Sequence, residues 1–308
     1  MEHDGHIMKR IRSTPVAHIF TFKNPGFLFP YIFVLYTYIL LRVLTRIVGR
    51  ERRLRNPQLH FIYSFDNFLQ SKLIRNITLT AKLDGKKLHF KCGDGQLFIM
   101  EFTREKAELS IVRRLKPRFF IDVGAHFGLY SYVASAWAEK VIAIEPDPRS
   151  LKVLWRTIKY NRLSNVIVIP CACYCKDGET LTFILADNLS SSSLIPERPV
   201  TKLGKILVKS VTLDSLTSKL GIKNVDMVKI DVEGAECYVL DGGKRIIQEV
   251  RPFFLIEVSN DDCERVFTLF RANRYRVYGP FTVFDVCKNY VFVPEEKVAT
   301  YDHDYMMA

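Results

Sequence analysis

The feature that most constrains this chain is an alternation that begins at Phe119. Short apolar runs are each followed by a stretch with helical periodicity. Strand Phe119–Val123 leads to helix Gly128–Ala138, strand Lys140–Ile144 to helix Pro148–Asn161, and strand Val166–Ile169 follows. Later, Met227–Ile230 leads to helix Ala235–Leu240, and Phe253–Val258 to helix Asp261–Ala272. Strands of four to six apolar residues separated by helices imply strands buried on both faces of a parallel, doubly wound sheet. The last two strands, Tyr275–Tyr278 and Tyr290–Val293, are joined by a linker too short for a helical crossover, so they pair antiparallel. The expectation is an α/β, seven-stranded, mostly parallel sheet with an antiparallel last strand.

The chain has 308 residues. The expected division is a basic N-terminal segment 1–56, a small β-meander and helix over 57–117, the sheet domain over 118–296, and a tail 297–308. The meander rests on Asp84-Gly85 between two β-rich runs and on a second turn at Gly93-Asp94-Gly95. Thr103 is a candidate cap for a helix running to about Leu115, with Pro117 ending it. An insertion over 176–217 interrupts the alternation, and no internal repeat is visible.

The formal net charge is +12. Residues 1–56 hold ten Lys/Arg and three acids, so more than half of the excess lies in the first fifth of the chain. No charge occurs between Lys23 and Arg42. A basic, apolar segment of about 26–48 points to a membrane surface, spanning or lying in the interface, with the remainder on the cytoplasmic side. Seven scattered cysteines form no CxxC pair and no zinc spacing, so they read as reduced thiols in a reducing compartment. Cys171, Cys173 and Cys175 would share one face of a strand if the strand continued that far.

In a doubly wound sheet the ligand lies beyond the carboxyl ends of the strands, where the strand order reverses. After the first strand stands Asp122-Val-Gly124-Ala125-His126-Phe-Gly128. A dinucleotide turn needs G-x-G-x-x-G, and His126 and Leu129 occupy its second and third glycine positions. An acid directly before the turn would repel a pyrophosphate and favour a cationic ligand. Glu145, 21 residues beyond Gly124, can accept both ribose hydroxyls, and Pro146 ends its strand. Two acids and no pyrophosphate cradle suit S-adenosylmethionine better than a dinucleotide. Asp231, Glu233 and Glu236 crowd the start of a later helix, with Glu257 on the same rim. Helix-dipole stabilisation accounts for one such acid more readily than for three.

The stretches "FIDVGAHFGLYS", "IAIEPDPRSLKVLWRTIKYN", "SVTLDSL", "VDMVKIDVEGAECYVLDGG" and "RPFFLIEVS" resemble the FkbM family of S-adenosylmethionine-dependent methyltransferases, in the right order over about 119–258. The resemblance implies a class I methyltransferase fold and methyl transfer to an oxygen, with a sugar, glycan or other metabolite hydroxyl as acceptor. It places Asp122, Gly124, Ala125 and Gly128 along the methionine end of the cofactor, Glu145 on the ribose and Ala172 at the adenine, with His126 and Pro146 completing the set. Ser192-Ser193-Leu194 resembles a Ser-Leu element of the family's insertion. His126 departs from the family's common Asn, and residues 1–56 lie outside the resemblance. Asp231 is the first candidate base, Glu233 stands beside it, and His126 is the second candidate. No metal is assigned. Two other readings stay open: an RNA methyltransferase, which the absence of an aromatic-basic motif disfavours, and a cofactor-binding membrane protein without turnover. Nothing in the sequence fixes the oligomeric state.

Overall fold

The computed structural model describes residues 78–83, 86–91, 105–187, 191–196, 201–281, 287–299 and 301–302. The expectations for 26–48, for the turn at Gly93–Gly95 and for Thr103 lie outside these residues. The chain divides into two units, Met1–Leu97 and Phe98–Ala308. In the first, β1 (Thr78–Leu83) and β2 (Lys86–Lys91) form the expected antiparallel hairpin around Asp84-Gly85.

The second unit opens with α1 (Lys106–Leu115), which ends at Lys116 in the left-handed conformation just before Pro117. The elements then run β3 (Phe119–Val123), α2 (Leu129–Ala134), β4 (Lys140–Ile144), α3 (Pro148–Asn161) and β5 (Val166–Ile169). After β6 (Ala172–Cys173), β7 (Thr180–Ala186), β8 (Lys202–Val211) and α4 (Leu213–Lys219) come β9 (Met227–Ile230) and α5 (Glu236–Asp241). The unit closes with β10 (Phe253–Ser259), α6 (Cys263–Ala272), β11 (Tyr275–Tyr278) and β12 (Cys287–Pro294).

Seven strands form the main sheet in the order β11-β12-β10-β9-β3-β4-β5. The five strands from β10 to β5 are mutually parallel, and β12 runs antiparallel between β10 and β11. Phe120, Ile121, Val123, Val141, Ile142, Ile144, Val228 and Ile230 are buried, which is why the central strands read as unbroken apolar runs. The chain winds outward from β3 to β5 and then returns to β9 on the other side of β3. The strand order therefore reverses between β3 and β9, the position beyond which ligands lie in such a sheet.

Three differences from the sequence reading have local causes. The helix expected over Gly128–Ala138 stops at Ala134, where Ala136, Trp137 and Ala138 close onto Val133 and Ala134 in turn geometry. Gly128 is its left-handed cap rather than its first residue. The strand through the cysteines is only Ala172–Cys173, so Cys171 and Cys173 are buried while Cys175 is exposed. The six described cysteines are free thiols. In the described residues of the insertion, β7 and β8 pair antiparallel, and β6 adds to β8 in parallel, giving a separate sheet β6-β8-β7.

Candidate active site

The turn after β3 is tied inward. Gly124 and Ala125 both donate their amides to the Ile144 carbonyl, each at 3.0 Å. His126 donates its amide to Glu145 Oε2 at 2.8 Å, and Gly128 donates to the Ala125 carbonyl at 2.8 Å. Those four amides are spent within the protein, whereas a pyrophosphate cradle needs such groups turned outward. Gly124 has φ +73°, and a Cβ there would lie 1.8 Å from the Asp231 carbonyl oxygen. The glycine thus serves the close passage of the β9 loop. Gly128 has φ +90°, which favours glycine, and a Cβ there would press on the end of the Leu154 side chain of α3 at 2.4 Å. His126 has φ +52°, a left-handed position that Asn and His tolerate better than most residues. Its ring packs on Phe127 at 4.1 Å.

Asp122 is 0% exposed. Ser131 Oγ donates to its Oδ2 at 2.6 Å, while Oδ1 has no hydrogen-bond partner. Burial raises its pKa above the ordinary aspartate value, opposed first by Lys229 and then by Ser131. Glu145, 6% exposed, ends β4 and accepts amides from His126 and, at 2.7 Å, from Asp147. Burial pushes its carboxyl up to about 7. A carboxylate oxygen with one N–H bond keeps a second acceptor position, so Glu145 can still receive hydroxyl donors. Pro146 is half-buried beside it.

On the opposite side, the loop between β9 and α5 folds around Glu236. Glu236 Oε1 accepts the amides of Val232 at 3.3 Å and Gly234 at 3.0 Å, and Oε2 has no partner. The residue is 2% exposed, and burial raises its carboxyl to about 7. Within this loop Glu233 adopts φ +58°. Asp231, Glu233 and Glu257 bring carboxylate oxygens within 4.8 Å of one another. Glu257 also accepts from Cys287 Sγ at 3.0 Å, and burial together with Asp231 and Glu233 holds its carboxyl well above the usual range. Lys229 Nζ pairs with Asp231 Oδ2 at 2.9 Å beside this cluster.

The structure therefore sets the candidate base residues Asp231 and Glu233 together with Glu257, and bonds the His126 amide to Glu145. Ala172 is buried against Phe183 and Val208 in the insertion sheet. The Ser192-Ser193-Leu194 element fastens that insertion to both loops. Arg149 Nη2 donates to Ser192 Oγ at 2.9 Å and to Asp147 Oδ2 at 2.7 Å, and Ser193 Oγ donates to the Glu233 carbonyl at 2.7 Å. Arg149 and Lys229 are the polar residues that sequence reasoning passed over. Lys229 stands inside an apolar strand, where its only signal is the Lys-Ile-Asp spacing.

A seven-stranded sheet of this order, with one acid ending each of two adjacent strands, defines the class I methyltransferase architecture. Residues 122–277, half of the chain, match the methyltransferase FkbM domain, and the chain belongs to that family, whose members depend on S-adenosylmethionine. It is 32% identical over 155 residues to methyltransferase sdnD of Sordaria araneosa, covering 40% of this chain and 60% of that one. It is 27% identical to methyltransferase 1 of Beauveria bassiana, covering 40% of this chain and 57% of that one. The chain thus spans about three fifths of the curated relatives it matches. Among solved structures, the FkbM methyltransferase of Methylobacillus flagellatus is similar at 20% identity with a TM-score of 0.42, over 57% of this chain and 44% of that one.

Proposed function

We propose that this chain methylates a hydroxyl oxygen on a sugar, glycan or other metabolite, using S-adenosylmethionine held by Asp122, Gly124, Ala125, His126, Gly128, Glu145, Pro146 and Ala172. The observation that carries the reading is the pair of buried acids at the ends of β3 and β4. Asp122 keeps a buried oxygen without a partner, and Glu145 keeps acceptor positions, beside a turn whose bonded amides leave little for a phosphate. Asp122 would hold the methionine end of the cofactor, and Glu145 would accept its ribose hydroxyls. The bound sulfonium supplies an already activated methyl group.

For the chain's own residues, the remaining task is to hold the acceptor in line and to take its proton. Asp231 is one-quarter exposed, and it accepts that proton as the new C–O bond forms. Glu233 and Glu257 orient the acceptor's other hydroxyls, and their charge disfavours anionic acceptors. His126 is the second candidate base.

In the same proposal residues 26–48 contact a membrane surface with the catalytic part on the cytoplasmic side, and the division into 1–56, 57–117, 118–296 and 297–308 stands with it. Sedimentation with lipid vesicles, with and without residues 1–56, tests that part. The function itself is tested by transfer of labelled methyl from S-adenosylmethionine to a panel of polyols and glycosides. Label that survives alkali is the expected methyl ether. Label released by alkali marks an ester and a carboxyl acceptor, which refutes the hydroxyl reading.

A further inference from the structure

One buried charge is not used in this scheme. Lys229 is 6% exposed and lies on β9, in direct register with Asp122 on the neighbouring strand β3. Its Nζ donates to Asp231 Oδ2 at 2.9 Å and stands 4.9 Å from the centre of the Tyr130 ring, in the first turn of α2. One ammonium thus bonds the acid that follows β9, lies against the first turn of α2, and extends from the strand position paired with Asp122. Burying a lone ammonium is costly, and burial alone would lower its pKa. The carboxylates of Asp231, Asp122 and Glu105 reverse that and keep it protonated. In return Lys229 is the first group opposing the effect of burial on Asp122.

We propose that Lys229 is a positioning residue that holds Asp122 and Asp231 as a charged pair, the first turned to the cofactor and the second to the acceptor. This rests on the roles given above to those two aspartates. With Lys229 the trio has a net charge of −1, which matches the single net positive charge of S-adenosylmethionine. Without it, no neighbouring cation offsets Asp231 and the burial of Asp122, and the fully enclosed Asp122 takes up a proton. A protonated Asp122 loses the charge-assisted bond that its free Oδ1 offers to an ammonium. The charged and titratable groups around the trio are Glu105 and Glu108, which act on Tyr130, and Glu233 and Glu257, which lie with Asp231. Ser131 is the hydrogen-bonding neighbour on α2.

The test follows the Asp122 carboxyl directly by carbon-13 NMR of aspartate-labelled protein, with the resonance assigned by its loss in Asp122→Asn. Lys229→Met keeps the aliphatic stem and removes the charge, and Lys229→Arg keeps the charge. The titration midpoint of Asp122 moves upward in Lys229→Met and returns toward wild type in Lys229→Arg. S-adenosylhomocysteine binding weakens by roughly tenfold or more in the Met variant, the equivalent of one pKa unit. Asp231→Asn gives the opposite sign: it removes a repelling carboxylate and leaves Lys229 to Asp122, so the midpoint falls. That variant decides the matter if Lys229→Met does not fold. An Asp122 midpoint that stays put in both variants overturns the role of Lys229, whatever happens to binding. A midpoint that moves as stated while affinity is unchanged shows instead that Asp122 does not meet the cofactor, and the proposal falls with that assignment.

Discussion

Gly124 and Gly178 share a φ of +73°, yet their surroundings are opposite. A Cβ on Gly178 would have nothing within 4 Å, whereas one on Gly124 would stand 1.8 Å from the Asp231 carbonyl oxygen and 2.8 Å from its carbon. Alanine at either position pays the left-handed penalty of about 1–2 kcal/mol. At Gly124 the backbone of the β9 loop must also retreat until the contact reaches about 3.0 Å. Overpacking of that kind adds about 1–3 kcal/mol, occasionally more. Gly124→Ala is therefore expected to cost about 1–3 kcal/mol more than Gly178→Ala. In a domain of this size that is a further fall in melting temperature of roughly 2–12 °C. Urea titration and thermal melting of both variants provide the measurement. Because Gly124 itself belongs to the proposed cofactor turn, Gly124→Ala also weakens S-adenosylhomocysteine binding, while Gly178→Ala leaves it unchanged. Equal stability losses in the two variants would refute the claim that the β3 turn and the β9 loop are built against one another.

Three further outcomes follow from the same contacts. The carboxyl of Glu236 is raised by burial to about 7, above its ordinary 4.5, so the folded state favours its protonated form. Its contribution to stability is then greatest below pH 4.5, falls as pH rises toward 7, and is level above. Glu236→Gln keeps the Val232 and Gly234 bonds through its carbonyl oxygen, so it is more stable than wild type at pH 8 by up to about 3 kcal/mol. That gain shrinks toward pH 5 in urea titrations, and a gain equal at both pH values would count against the burial effect. Arg149→Met removes bonds to Asp147, Ala186 and Ser192, leaves the Asp147 carboxylate buried, and costs about 2–3 kcal/mol by denaturant titration. Maleimide reacts in the native protein with exposed Cys175 before Cys171, whose thiol burial pushes up to about 11, or the more deeply buried Cys173.

The parallel core was legible because its strands are short apolar runs that end abruptly, with Phe119–Val123, Lys140–Ile144 and Met227–Ile230 almost wholly buried. Phe119–Val123, Lys140–Ile144, Val166–Ile169 and Met227–Ile230 are found at those boundaries. The insertion was not legible, since β7 and β8 mix exposed Lys202, Lys205, Leu207 and Lys209 with buried Val208 and Phe183, and a half-covered ribbon gives only a partial alternation. The end of α2 was missed because Ser135, Ala136, Trp137 and Ala138 suit a helix locally, and only the turn bonds to Val133 and Ala134 stop it. At the site, Asp122 and Glu145 stood out because an acid at the end of an apolar run is a sharp break in pattern. Lys229 did not, because its importance comes from the β3–β9 register, which pairs residues more than 100 positions apart. Gly124 and Gly128, which the resemblance places along the cofactor, also make room for Asp231 and Leu154.

The central claim is that the acids ending β3 and β4 hold the cofactor. Calorimetry of S-adenosylhomocysteine with wild type, Glu145→Ala and Asp122→Ala, at pH 6.5 in two buffers of different ionisation enthalpy, tests it most directly. Glu145, raised to about 7 in the free protein, ionises when ribose hydroxyls donate to it, so wild type releases protons on binding. Both variants bind about tenfold more weakly or worse, and Glu145→Ala loses the proton release. Equal affinity in all three proteins, with the same buffer dependence, contradicts the claim.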